Sequence, residues 1–107
     1  MNRTLGKHGP TVSALGLGAM GMSDFYGAAD RTESIATLHA ALEAGITLID
    51  TADAYCLGAD DTGHNERLLA RAIASWTGER SRIRVATKGG LTRPQGGWIP
   101  DGRIHRL

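Results

Sequence analysis

Three side chains with acid–base chemistry follow strand-like runs of this chain. Asp50 comes directly after the short apolar run 46–49, and Tyr55 follows five residues later. Lys88 comes directly after the next β-prone run, 83–87. A carboxylate, a phenol and an amine at the ends of neighbouring strands could together form an acid tuned for proton transfer.

The phenol would be the proton donor of such a set. A free phenol has a pKa of about 10 and is a poor acid at neutral pH. A neighbouring ammonium favours the phenolate, and a carboxylate paired with the ammonium would keep it charged and in place. Such a phenol could protonate a carbonyl oxygen while hydride arrives at the carbonyl carbon. Each residue also has a structural interpretation, as a cap, a packed ring or a solvated strand end, and spacing alone leaves both interpretations open.

Composition predicts one globular domain spanning residues 1–107. The hydrophobic fraction is 41%, the charged fraction is 21% and the formal net charge is +1, which is typical of a soluble domain. No basic run suggests nucleic acid, and the longest weakly polar stretch, 14–22, is too short for a membrane span. The single cysteine, Cys56, excludes an intrachain disulfide and favours a reducing, cytoplasmic location.

The chain reads as a hairpin followed by β-α-β-α-β. Turn residues separate the β-prone runs of a hairpin at about 3–13. Asp30 is a natural cap for the first helix, and Gly45 is a natural residue to follow its end. The predicted elements are strands at 14–18, 46–49 and 82–87, helices at 30–42 and 65–76, and loops at 23–29, 55–63 and 89–101.

Alternating strands and helices of this kind predict an α/β fold with a parallel sheet. The carboxyl ends of the strands, where such sheets collect chemistry, hold Asp50 and Lys88, with Tyr55 just beyond. Trp98 and Pro100, in the long loop after Lys88, could line a substrate pocket or simply pack on the surface.

The run Gly16–Gly21 also satisfies the G-x-G-x-x-G pattern of nucleotide-binding proteins. In a dinucleotide-binding fold, a helix opens directly on the last glycines. Here residues 23–29 intervene, so a small βαβ nucleotide-binding module is the weaker alternative. Cys56, His64 and the acidic pair 60–61 have no regular ligand spacing, and no metal is expected.

Several blocks of sequence resemble the aldo-keto reductase family, in the family's order. The runs 3–6 and 12–18 are similar to its opening hairpin and first strand. Gly45 through Asp50-Thr51-Ala52-Asp53-Ala54-Tyr55 is similar to its signature around a catalytic tyrosine. Gly63-His64-Asn65-Glu66 resembles the start of its second barrel helix, and Val85-Ala86-Thr87-Lys88 resembles its lysine strand.

The resemblance implies an NADP(H)-dependent oxidoreductase that reduces aldehydes or ketones on a (β/α)8 barrel. It implies that Tyr55 is the general acid, that Lys88 is its charged neighbour and that Asp50 pairs with Lys88. The implied cofactor-binding residues, near the nicotinamide end, are Gly18, Ala19, Met20 and Asp50. The family also uses a histidine after its fourth strand, a role that none of the histidines of this chain is expected to fill: His8, His39, His64 and His105.

Chain length limits these expectations. A barrel of this kind needs about 250 residues, whereas this chain has 107. The expectation is therefore a hairpin, three strands and two helices of an incomplete barrel that does not retain NADP(H) and is inactive alone. A non-catalytic interaction module, with a complementing barrel portion as partner, remains the alternative.

Overall fold

The computed structural model of the chain describes residues 1–23 and 30–104. Most of the predicted loop at 23–29 lies outside the described residues. His105 also lies outside them. The elements are β1 Asn2–Thr4, β2 Thr11–Ser13, β3 Gly16–Gly18, α1 Arg31–Glu43, β4 Leu48–Asp50, α2 His64–Ala74, β5 Arg84–Ala86, β6 Leu91–Thr92 and β7 Ile99–Pro100.

The predicted N-terminal hairpin is confirmed. Strands β1 and β2 pair antiparallel, with Arg3 opposite Val12. Two reciprocal bonds attach the hairpin to the segment before β4: Ser13 N donates to Thr47 Oγ1, and Thr47 N donates to Ser13 Oγ, both at 2.8 Å. The hairpin therefore lies at the amino-terminal end of the sheet, opposite the strand ends that carry Asp50 and Lys88.

The parallel sheet is confirmed as well, with strand order β3-β4-β5. Leu17, Ile49 and Val85 lie side by side across the sheet. One residue further on, Gly18 pairs with Asp50 and Asp50 with Ala86. The strands thus end in line, and residues just beyond them share one edge of the sheet.

One face of this sheet is covered by the two helices. Ile49 is fully buried there. The buried core is formed by Ala19, Leu38, Leu42, Ile49, Leu69 and Ala72. Because strand side chains alternate between faces, Gly18, Asp50 and Ala86 belong to the opposite face, where all three are exposed. Asp50 therefore projects from the side of the sheet away from the helices.

Local sequence explains where the first helix begins and ends. Asp30 caps α1, since its Oδ1 accepts a hydrogen bond from Thr32 N at 2.8 Å. Gly45 follows the helix with φ +97°, a left-handed conformation that glycine adopts without steric cost. Both predictions are confirmed. No helix among residues 1–23 and 30–104 is long and apolar enough to cross a membrane.

The second half departs from the predictions in detail. Helix α2 begins and ends slightly earlier than predicted, and Trp76, beyond its end, packs against the core. Strand β5 begins later than predicted, because residues 80–82 form a 3₁₀ turn.

The prediction that 89–101 is loop throughout is wrong at two short strands. Strands β6 and β7 pair antiparallel there, with Leu91 opposite Pro100. Pro94, Gly96 and Gly97, which favoured a loop, lie between the two very short strands, and Pro100 belongs to β7.

Candidate active site

Lys88 and Asp50 form the centre of the site. The Lys88 Nζ donates to Asp50 Oδ1 at 3.1 Å, to Oδ2 at 2.9 Å and to the Thr51 carbonyl at 2.9 Å. Sheet-like bonds beyond the strand ends bring them together: Thr51 N donates to Ala86 O at 2.8 Å, and Asp53 N donates to Lys88 O at 3.2 Å. The expected ion pair between neighbouring strand ends is present.

Tyr55 joins this pair through its ring. The Lys88 Nζ lies 4.8 Å from the centroid of the Tyr55 ring, a cation–π distance. Tyr55 itself is buried, at 9% exposure. Its backbone is held on both sides, since Tyr55 N donates to Ala52 O and Tyr55 O accepts from Asn65 N. The structure therefore brings all three predicted acid–base residues together.

The electrostatics of Lys88 reflect opposing effects. Burial, the largest single effect, lowers its pKa, whereas hydrogen bonds with Tyr55 and Asp50 and the negative charge of Asp50 raise it. The net result is a raised pKa for Lys88. The amine is therefore an ammonium at neutral pH.

The three residues expected near a nicotinamide lie at the end of β3. Gly18 is exposed, and a Cβ added there would meet nothing within 4 Å. Ala19 is fully buried in the core, and its N–H donates to Asp50 O at 3.0 Å. Met20, half-buried, begins a short 3₁₀ turn. Gly18 and, in part, Met20 therefore form the exposed surface at the end of β3. The backbone hydrogen bond of Ala19 joins this strand end to β4.

The glycine pattern does not open a helix. The 3₁₀ turn Met20–Met22 follows the strand, and α1 begins only at Arg31. No long helix N-terminus therefore faces these glycines in the described part of the chain, as a dinucleotide-binding fingerprint would require. The nucleotide-binding module is accordingly not supported.

The described histidines lie elsewhere in the fold. His39 Nε2 lies 2.7 Å from the Ala72 carbonyl, within the helical layer. His64 Nδ1 lies 2.7 Å from Ser23 Oγ. His8 lies in the exposed hairpin turn. None of these three is held against the Lys88–Asp50 pair by a hydrogen bond.

Asn65 is a site residue that the sequence reasoning missed. It is fully buried, and its Nδ2 donates to the Ala19 carbonyl and to Ser23 Oγ, both at 2.8 Å. Its Oδ1 accepts from Thr51 Oγ1 at 2.6 Å. One amide thus joins the ends of β3 and β4 to the start of α2. The sequence signal was an asparagine in the first turn of a helix, where polar residues are usually solvated.

Arg93 is the second missed residue. Its Nη1 donates to the carbonyls of Ala54 at 3.1 Å and Cys56 at 2.6 Å, and its Nε donates to Gly97 O at 2.7 Å. It is only 3% exposed, and its guanidinium carbon lies 4.1 Å from the centroid of the Trp98 ring. An arginine in a Gly/Pro-rich segment gives no sequence signal of burial, so only the structure reveals it.

A pocket of about 220 Å³ lies beside this arginine. Asp53, Thr62 and Arg93 are among its lining residues, but Trp98 and Pro100 are not. Asp53 Oδ1 is buried and lacks a hydrogen-bond partner among the described residues. Trp98, predicted as a possible pocket residue, instead stacks on Arg93.

Solved structures of other proteins are similar to this chain. Over 94% of this chain, an aldo-keto reductase from Bacillus halodurans in its holo form is 35% identical, with a TM-score of 0.71. A Pseudomonas aeruginosa protein described as an aldo-keto reductase is 31% identical over 94% of this chain, with a TM-score of 0.73. The chain covers 30% and 35% of those two structures, respectively. It therefore spans about a third of the length of these solved proteins.

The family itself is also matched directly. The model of the aldo/keto reductase family matches residues 14–107, which include all three acid–base residues and everything between β3 and the end of the chain. Together with the hairpin, three parallel strands and two helices in the family's order, this match assigns the fold as the first part of a (β/α)8 barrel. The chain belongs to the aldo/keto reductase family.

Proposed function

We propose that this chain supplies the proton-donor part of an NADP(H)-dependent oxidoreductase that reduces aldehydes or ketones to alcohols. The observation that carries the proposal is the placement of one ammonium, Lys88, against both the Asp50 carboxylate and the buried Tyr55 ring. This is the arrangement that a phenolic general acid requires, because a fixed positive charge favours the phenolate left after proton transfer.

In the proposed reaction, Tyr55 acts as general acid. The carbonyl oxygen of the substrate accepts the phenolic proton while the carbonyl carbon gains hydride, so that the product is the alcohol. Lys88 stabilises the resulting phenolate, and Asp50 with the Thr51 carbonyl keeps the ammonium in place. The substrate is accordingly a small carbonyl compound.

The cofactor proposed is NADP(H), which when bound supplies the hydride. Gly18, Met20 and Asp50 are the residues of this chain proposed to lie against it. The open space beside Gly18, at the same edge of the sheet as Asp50, fits this role. In such barrels the phosphate-binding loops commonly follow strands seven and eight. We therefore propose that the 107-residue chain retains neither cofactor nor activity alone; tight NADPH binding by the chain would contradict this.

The catalytic proposal is tested in a hybrid barrel, in which residues 1–107 replace the matching part of the Bacillus halodurans relative. Tyr55→Phe should lower aldehyde-dependent NADPH oxidation by about a hundredfold or more while NADPH binding is kept. Lys88→Met should also lower turnover strongly. Lys7→Met, in the distant hairpin turn, is the matched control and should change nothing. Near-normal turnover in Tyr55→Phe would refute the assignment.

A second proposed role follows from the open sheet. Among the described residues, β3 and β5 each lack a partner on their outer side, and Val85 of β5 is 46% exposed. Unpaired strand edges are templates for another chain. We propose a complementing barrel portion as the partner, tested by sedimentation of this chain with the separately expressed remainder of a relative. A monodisperse folded monomer that ignores that remainder would argue against it.

The proposed location is the cytoplasm. The single cysteine, Cys56, is buried and free, which suits a reducing compartment. Fractionation of cells that express a tagged chain would test this, and recovery outside the cytoplasm would contradict it.

A further inference from the structure

Arg93 donates hydrogen bonds to the residues on both sides of the proposed general acid. Ala54 and Cys56, whose carbonyls it contacts at 3.1 and 2.6 Å, directly flank Tyr55. The Nη1 nitrogen of Arg93 thus donates to two carbonyls that are two residues apart in the chain. The Ala54 carbonyl belongs to the peptide plane that precedes Tyr55, and the Cys56 carbonyl belongs to the plane that follows Cys56. Fixing both planes leaves the backbone around Tyr55 little freedom to rotate.

The contacts of Arg93 also reach its own segment. Its Nε holds the Gly97 carbonyl at 2.7 Å, and the Trp98 ring covers the guanidinium at 4.1 Å. These partners belong to the β6–β7 hairpin, which follows Lys88 in the chain. Arg93 therefore connects the segment that carries Tyr55 to the hairpin that follows Lys88.

Asn65 also holds Tyr55. Its backbone N–H donates to the Tyr55 carbonyl at 3.2 Å, and its buried side chain is fixed by three hydrogen bonds. The 54–56 segment therefore lies between two buried anchors, one in α2 and one in the β6–β7 hairpin. Of the two, only Arg93 reaches the carbonyls on both sides of Tyr55.

We propose that Arg93 is a positioning residue for Tyr55. It touches no reacting atom in this scheme; it orients the backbone of the general acid so that the phenol stays against Lys88. The effect on catalysis rests on the proposed function. The restraint of residues 54–56 by Arg93, which we call the clamp, follows from the contacts alone. Lysine is a poor substitute, because an ammonium lacks the planar fork that reaches both carbonyls and Gly97 while stacking on Trp98.

Cys56 is a reporter of the clamp that does not depend on catalysis. Its thiol is fully buried and is the free thiol of the chain. In Arg93→Met, labelling of Cys56 by a thiol reagent should rise by about tenfold or more, since a hydrogen bond from a charged donor changes an opening equilibrium by roughly that factor. The rate should be insensitive to low urea, because the opening is local.

The matched control is Arg67→Met, which removes an arginine of the neighbouring surface that is 60% exposed and pairs with Asp61. It should leave the labelling rate unchanged. If Arg93→Met leaves the rate unchanged, or raises it only through urea-sensitive global unfolding, the clamp is refuted.

Turnover of the hybrid barrel tests the catalytic part. Arg93→Met should lower kcat for an aliphatic aldehyde by about tenfold or more, with the KM for NADPH unchanged. An activated quinone, whose reduction needs little proton donation, should be affected much less, and Arg93→Lys should recover only part of the aldehyde activity. Equal losses on both substrates, or full recovery with lysine, would overturn the positioning role. Failure of the proposed function is separately visible, because Tyr55→Phe would then keep its aldehyde activity.

Discussion

The Lys88 ammonium donates to both carboxylate oxygens of Asp50, at 3.1 and 2.9 Å, although the residues are 38 positions apart. They meet because β4 and β5 are adjacent and parallel and end in register. Their side chains are 49% and 53% exposed, so solvent screens the pair, and its contribution to stability should be below about 1 kcal/mol. The pair matters chiefly because it holds a positive charge against Tyr55.

Replacing Asp50 should lower the pKa of Lys88. Asp50→Asn removes a negative charge and replaces one of the two acceptor oxygens with an NH2 donor. The charge and the hydrogen bonds of Asp50 act to raise that pKa against the opposing effect of burial. The measurement is an NMR titration of the lysine side chains, in which Lys7→Arg assigns the signals. Asp61→Asn, which breaks the surface pair with Arg67, is the control and should not move the Lys88 signal. An unchanged Lys88 titration in Asp50→Asn would contradict the pairing.

The stabilisation that Lys88 provides should disappear in alkali. Its folded pKa is raised above the ordinary lysine value of 10.5, so folding favours the protonated form. The contribution is then fully present below pH 10.5 and is lost as pH rises through the folded pKa. Urea unfolding of the wild type and Lys88→Met should therefore differ at pH 7 and converge at the alkaline end. A difference that grows with alkaline pH would reverse the sign and refute this account.

Asn65→Leu should destabilise the chain by about 3 kcal/mol. The substitution leaves the buried Ala19 carbonyl and the Thr51 hydroxyl without the bonds that the amide makes at 2.8 and 2.6 Å. Urea unfolding measures the loss, with Asn2→Leu in the exposed first strand as a control expected to stay within about 0.5 kcal/mol.

A double-mutant cycle with Thr51 tests which hydrogen bond Asn65 stabilises through. Thr51→Val combined with Asn65→Leu should cost less than the sum of the single changes, because both disrupt one hydrogen bond. Strict additivity would show that Asn65 does not stabilise through Thr51.

Gly45→Ala should cost about 1 kcal/mol or slightly more. Gly45 has φ +97° at the end of α1, a conformation in which a Cβ is strained. Gly102→Ala is the matched control, since a Cβ there meets nothing within 4 Å and its φ lies outside the left-handed range. Thermal or urea unfolding compares the two, and equal effects would show that backbone conformation at Gly45 is not the cause.

Features that depend on neighbouring residues could be predicted from the sequence. The Asp30 cap, the Gly45 turn, both helices and the order of strands follow from propensity and periodicity over a few positions. The β6–β7 hairpin could not, because strands of two residues carry almost no periodic signal and their glycines and prolines indicate a loop. It forms through pairing of Leu91 with Pro100 across an intervening turn.

The sequence by itself determined that Asp50, Tyr55 and Lys88 would lie near the ends of adjacent strands, because parallel strands joined by helices end at the same edge of their sheet. Only the tertiary structure decided how those side chains are held. Asn65 reaches Ala19, 46 residues away, and Arg93 reaches Ala54, 39 residues away. Such bonds depend on packing between distant segments, which local pattern does not encode. Burial then makes them decisive, since a polar group that leaves water must find its partner in the fold.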